Sequence, residues 1–172
     1  MRKLVVAEFV SLDGVMQAPG GAEEDMEGGF THGGWTMPYW HDDMGTTLFE
    51  EINKADTFLL GRKTWQGHAE AFEPAPADDP FAGLLNGLKK YVVSTTLKSA
   101  DAWRNSTIIS DNVVDEVRKL KEQPGKAIYV DGSSVLVTRW RRRIWWMNTA
   151  CSFFRSYWEK ESGSFRRISM QV

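Results

Sequence analysis

At 172 residues, with 42% hydrophobic and 26% charged side chains, the chain has ordinary globular composition and the size of one domain, which excludes disordered and fibrous classes. A single cysteine, Cys151, excludes an internal disulfide framework and points to a reducing, cytoplasmic setting; His32, His41 and His68 show no paired metal-ligand spacing. The net charge of −2 hides a division near residue 138: residues 1–138 hold 13 bases and 21 acids, net −8, whereas residues 139–172 hold eight bases and two acids, net +6, with four of the eight tryptophans.

Lys3 to Val10 is an apolar, β-branched run that predicts a first strand, closed by a turn at Ser11-Leu12-Asp13-Gly14. Glu8 interrupts its apolar stretch, so neither a secretory leader nor a membrane span is expected there. Residues 17–34 contain six of the 15 glycines together with Pro19, and predict a long loop without regular structure. From Pro38 to about Lys54, Tyr39, Met44, Leu48, Phe49 and Ile52 fall near helical spacing. Thr57 to Leu60 reads as a buried strand stopped by Gly61, Arg62 to Phe72 as a helix, and Pro74-Ala75-Pro76 as a break. Strands are expected at Lys89–Ser94, Ser106–Ile109 and Ala127–Val130. A helix capped by Asp111 or Asn112 presents Val113, Val114, Val117 and Leu120 on one face, and Pro124-Gly125 ends it. Strand and helix alternate throughout, which predicts an α/β fold with a largely parallel sheet.

In open α/β sheets, ligands bind beyond the carboxyl ends of the strands. Three such ends carry residues suited to an anion. Gly61-Arg62-Lys63-Thr64 follows Phe58-Leu59-Leu60, and offers close backbone approach, helix-start N–H groups and a forked cation. Ser94-Thr95-Thr96 follows Tyr91-Val92-Val93, and Gly132-Ser133-Ser134 follows Ile128-Tyr129-Val130. Any one of these is also an ordinary cap or turn; three in register favour a binding edge.

Leu59-Leu60-Gly61-Arg62-Lys63-Thr64-Trp65 resembles the cofactor-binding strand–helix junction of dihydrofolate reductases. The opening Val5-Val6-Ala7-Glu8-Phe9-Val10-Ser11-Leu12-Asp13-Gly14-Val15 and the segment Tyr129-Val130-Asp131-Gly132-Ser133 are more similar to a sister family, the reductase domain at the C-terminus of bacterial bifunctional deaminase-reductases of riboflavin biosynthesis, and its stand-alone relatives. The likeness covers residues 2 to about 137. It implies a dihydrofolate-reductase-like α/β fold, a mixed but largely parallel sheet flanked by helices, that binds NADPH and passes hydride to a small heterocyclic substrate, with no nucleic-acid or membrane partner and a homodimer left open. By the same resemblance, Gly61, Arg62 and Thr64 meet the pyrophosphate and adenosine-phosphate side, Ser94 and Thr95 the adenosine ribose phosphate, and Gly132, Ser133 and Ser134 the pyrophosphate, while Asp13 and Gly14 border the nicotinamide. Two departures bear on substrate. Gly132-Ser133 stands where dihydrofolate reductases pair two glycines, and their pterin-binding acid has no clean counterpart, with Asp42 or Asp43 nearby.

Hydride transfer is the cofactor's chemistry, so the protein needs to orient the partners and supply a proton. Asp13, Asp42, Asp43 and His41 are the available donors, although charged side chains of this kind are more often solvated or capping residues; Trp35, Tyr39 and Trp40 suit stacking on a flat substrate or packing under the glycine loop. No Gly-x-Ser-x-Gly elbow is present.

Residues 138–172 do not continue the resemblance. Thr138 to Met147 reads as a basic amphipathic helix, which opens nucleic-acid binding as an alternative function; a non-catalytic nucleotide-binding protein of the same fold is another. The codons themselves suggest a different origin. Shifted to start at the third base of each codon, Trp145-Trp146-Met147-Asn148 encodes Val-Asp-Glu and Tyr157-Trp158-Glu159 encodes Leu-Gly, with no codon freedom, and both fit what the related reductases have at this point. The expectation is therefore a reductase domain over 1–137 followed by a frame-shifted tail over 138–172, the family's last strands being missing or non-native and activity of this form being in question.

Overall fold

The computed structural model describes residues 1–11 and 13–137, together with the backbone of 151–161 and 164–170. The basic-helix reading of residues 138–147 falls outside the described residues.

The described strands form one sheet in the order β4-β3-β2-β5-β1-β6-β7, where β1 is Leu4–Glu8, β2 Ala55–Gly61, β3 Lys89–Val93, β4 Ser106–Ile109, β5 Ala127–Asp131, β6 Cys151–Glu161 and β7 Ser164–Met170. The first five in that order are mutually parallel, so their carboxyl ends lie along one edge. The central pairings run Leu4↔Ile128 to Ala7↔Asp131 and Thr57↔Lys89 to Gly61↔Val93.

Helices cover both faces, which is why β2 reads as an unbroken apolar run. Phe58, Leu59 and Leu60 are all fully buried, each worth roughly 1.5–3 kcal/mol relative to exposure. Phe58 and Leu60 face one layer with Trp65, Ala69, Leu85 and Trp103, and Phe58 stacks on Tyr129. Leu59 faces the other with Leu4, Val6, Val117, Leu120, Ile128 and Val130. The first layer is supplied by α1 (Asp42–Asn53), α2 (Arg62–Phe72) and α3 (Pro80–Gly87), the second by α4 (Val113–Glu122).

The helix expected from Pro38 begins only at Asp42, because Met37–Tyr39 makes a 3-10 turn and His41 is extended, its ring accepting from the Asp43 N–H. Helix α3 was not expected, although Asp79-Pro80 signals it: the Asp79 carboxylate accepts from the Phe81 and Ala82 N–H groups and Pro80 pre-sets the first turn. Asn112 occupies the cap position of α4 in a left-handed conformation, without a side-chain cap. The glycine-rich loop holds no regular element beyond a 3-10 turn at Glu27–Gly29.

Two polar devices lock the scaffold away from the carboxyl edge. The Arg2 guanidinium pairs with Asp56 and donates to Thr57 Oγ1 at 2.9 Å, to the Lys126 carbonyl at 2.7 Å and to the Ala127 carbonyl at 3.4 Å. It thereby joins the amino ends of β1, β2 and β5. Lys90, only 1% exposed, donates to the carbonyls of Asn86 (3.1 Å), Leu88 (2.9 Å) and Arg104 (3.1 Å) and lies over the Trp103 ring.

On the far side of β1, β6 runs parallel from Leu4↔Cys151 to Glu8↔Arg155, and β7 returns antiparallel to it. The sequence reading expects the strands of this flank to be missing or non-native, and the described backbone places two strands there. The ladder is made by main-chain N–H and C=O groups, so a stretch without a period-two apolar pattern can still take a strand's place.

Candidate active site

The carboxyl edge brings together two of the three predicted strand ends. The Gly61 N–H donates to Ser133 Oγ at 2.8 Å, and that hydroxyl donates to the Asp131 carbonyl at 3.2 Å. Gly132 and Ser133 are both left-handed, with φ of 55° and 63°. Glycine takes that conformation freely, whereas a β-carbon at 132 would also press on Thr64, at 3.3 Å from its Cγ2. The Gly132 N–H donates to the Ala7 carbonyl at 3.1 Å, and the Ser133 carbonyl accepts from Leu136 and Val137, opening a helical turn at Ser134. Thr64 stands in the first turn of α2, whose N-cap Gly61 supplies no side-chain cap. Two helix starts therefore meet at one point, joined by a serine hydroxyl, with backbone N–H groups suited to an anion.

Arg62 at the head of α2 is exposed and donates to Gln66 Oε1 at 3.2 Å. Its neighbour Lys63 pairs with Asp25 at 3.3 Å and with Glu27, tying the glycine loop to the head of α2 and raising the Lys63 pKa, chiefly through the Glu27 bond. The loop is held internally by Gln17, which donates to the Asp25 and Glu27 carbonyls at 3.0 and 2.9 Å. Ser94, one residue past β3, is buried and accepts from the Thr96 and Leu97 N–H groups at 3.2 and 3.0 Å, a local turn; Thr95 beside it is exposed.

The predicted donors occupy the surface. Asp13 is exposed, and a hydrogen bond from Ser11, aided by backbone, lowers its pKa. Asp42 and Asp43 lie exposed at the start of α1, with His41 3.5 Å from Asp43. Trp35 donates from Nε1 to the Gln17 carbonyl at 2.9 Å, which places it in the loop's own framework. Tyr39 and Trp40 are 57% and 44% exposed, and Trp40 lies against Phe9. Gly14 has φ 89° and open space around its absent side chain.

The reading by residue type missed three groups. Glu8 ends β1 half-buried, and its Oε1 is enclosed with no hydrogen-bond partner among the described residues. Burial, and secondarily the charge of Asp131, raises its pKa from 4.5 to about 8. Asp131 ends the adjacent β5 and is bonded to His68 Nε2 of α2 at 2.7 Å. His68 itself packs edge-on against Phe72 and Trp103.

This architecture is shared with dihydrofolate reductases. The enzyme from Enterococcus faecalis, solved as a complex with NADP(H) and RAB-propyl, matches with a TM-score of 0.53 at 17% identity, over 95% of this chain and 75% of that one. Residues 2–142 match the RibD C-terminal domain family, and the chain belongs to it. It is 31% identical over 140 residues to the uncharacterized protein YyaP of Bacillus subtilis (strain 168), a match covering 80% of this chain and 66% of that protein, just under two thirds of its length. Among the described residues, no helix is long and apolar enough to cross a membrane.

Proposed function

We propose that this protein is an NADPH-dependent reductase that transfers hydride to a small heterocyclic substrate of the phosphoribosylamino-pyrimidine or pterin kind. The observation that carries the reading is the meeting of two helix starts at the left-handed Gly132-Ser133 turn, with Arg62 exposed at the head of α2. A β-carbon at 132 would fill space beside Thr64, so the glycine keeps a backbone surface open where a diphosphate can lie. Membership of the RibD C-terminal domain family, and a structural neighbour whose complex contains NADP(H), support the same assignment.

In this reading Gly61, Arg62, Thr64, Gly132, Ser133 and Ser134 hold the pyrophosphate. Thr95 and the turn capped by Ser94 take the adenosine ribose phosphate. Asp13 and Gly14 border the nicotinamide, and Tyr39 and Trp40 offer faces to a flat substrate. Bound there, NADPH supplies the hydride, and the chain holds both reactants in line. The lack of a clean counterpart to the pterin-binding acid of dihydrofolate reductases favours a pyrimidine over folate as the acceptor. Arg62→Ala removes a charge-assisted contact worth about 1.5–3 kcal/mol, so NADPH affinity should fall roughly tenfold to a hundredfold. Titration by cofactor fluorescence measures this directly; equal affinity in mutant and parent removes Arg62 from the site.

We further propose that the reading frame changes near codon 138, so that residues 1–137 are the reductase domain. The end of the family match at residue 142 and the forced Val-Asp-Glu and Leu-Gly codons support this. One nucleotide inserted near codon 138 should give a protein that melts cooperatively at higher temperature and binds NADPH more tightly than the 172-residue form. A tail built for nucleic acid would instead show salt-dependent DNA or RNA binding that the insertion abolishes. No gain in melting temperature or affinity would refute the frame change as a cause of altered function.

A further inference from the structure

The paired carboxylates at the strand ends have different surroundings, and the difference divides their roles. Asp131, at the end of β5, is bonded to His68 at 2.7 Å, so its Oδ2 has a partner. Glu8 ends the neighbouring β1, where Ala7 pairs with Asp131, and its Oε1 is enclosed without a partner among the described residues. An enclosed carboxylate oxygen with no donor is the costly form of this group, and the protonated acid is the cheaper one.

We propose that Glu8 is the proton donor of the reduction, held in its acid form by its enclosure and by the anionic Asp131 beside it. The inference rests on the reductase reading above. Burial and Asp131 together bring the Glu8 pKa to about 8, so the proton is present at neutral pH and available for transfer. Among the described residues, two charged or titratable groups bear on it. Asp131 on β5 acts on Glu8 directly, His68 on α2 acts through Asp131, and on the other flank Glu8 lies in backbone register with Arg155 of β6.

The step balances. As hydride reaches the carbon of a C=N or C=O bond, the π pair moves onto nitrogen or oxygen, and that atom takes the proton from the Glu8 O–H. Glu8 is left as the carboxylate, the cofactor leaves oxidised, and water returns the proton to Glu8. Enclosure beside a second carboxylate keeps Glu8 in the form that can give up a proton.

The test has a readout independent of turnover. In the unliganded 172-residue protein labelled with 13C at glutamate carboxyls, the resonance lost in Glu8→Gln should titrate near pH 8, and its midpoint should fall in Asp131→Asn. With NADPH and 5-amino-6-(5-phosphoribosylamino)uracil or dihydrofolate as acceptor, Glu8→Gln should lower kcat roughly a hundredfold or more while leaving NADPH affinity unchanged. Glu8→Asp should recover part of the rate. A Glu8 midpoint in the ordinary glutamate range overturns the proposal, as does an undiminished kcat in Glu8→Gln when the parent is active. A parent that binds no NADPH and oxidises none with either acceptor overturns the reductase reading itself, and the donor role with it, whatever the midpoint.

Discussion

Lys90→Ala is expected to destabilise the protein by about 3 kcal/mol, one of the largest losses available from a single polar residue in this fold. The ammonium donates to three carbonyls, two in or beside the end of α3 and one at Arg104, and it lies over the Trp103 ring. Removing it leaves the Leu88 and Arg104 carbonyls short of a donor and opens a cavity where the four-carbon stem packed. The Asn86 carbonyl keeps its bond from Asn105, at 2.9 Å, so it suffers least. For a chain of this size the melting temperature should drop by about 6–12 °C. Lys90→Met restores the packing and not the donors, and should fall between the two. A melting temperature unchanged in Lys90→Ala would show that the strut contributes nothing.

The second large effect depends on pH. Glu8 has a folded pKa of about 8, above its ordinary 4.5, because burial and Asp131 oppose its charge. The sign follows from which state binds the proton more tightly. Folding is favoured below the unfolded value, and that contribution is lost as pH rises from 4.5 to about 8. The loss is on the order of 5 kcal/mol. Glu8→Gln should flatten the stability curve over this window and exceed the parent above pH 8. Lys90 bends the curve the other way. Burial, and then Arg104, lowers its pKa to about 8 from 10.5 against the pull of Glu73, so stability returns as pH climbs between those values. The parent should therefore be least stable near pH 8, and each variant should erase one limb of the dip in a denaturant series. A parent curve that only falls would contradict the Lys90 assignment, and one that only rises the Glu8 assignment.

The elements that were legible in the sequence are those whose signal is local. The apolar run at Phe58-Leu59-Leu60 and the Gly61-Arg62 junction predict β2 and α2 because hydrophobic period and turn chemistry agree there. Helix α3 is equally local, announced by Asp79-Pro80, but it lies just beyond the Pro74-Ala75-Pro76 break and is only eight residues long, too short for a clear helical period. The meeting of Gly61 with Ser133 was foreseen only as two separate strand ends, since 72 positions separate the partners and the parallel register alone unites them. Glu8 was legible only as an interruption of an apolar strand. Its altered chemistry arises from enclosure and from Asp131, and Asp131 is tied to a histidine 63 residues away in sequence. Such effects belong to tertiary packing and leave no pattern in residue type.

The Arg2 clamp bears on how this scaffold can diversify. Arg2 fastens β1 to β2 and β5 at the amino edge, through Asp56, Thr57 and the Lys126 and Ala127 carbonyls. Strand alignment is thus secured at the end remote from Thr95, Tyr39 and Trp40. Exposed side chains there can be exchanged without loosening the register beneath them. A library randomised at Thr95, Tyr39 and Trp40 should retain far more folded members than one randomised at Arg2, Asp56 and Thr57.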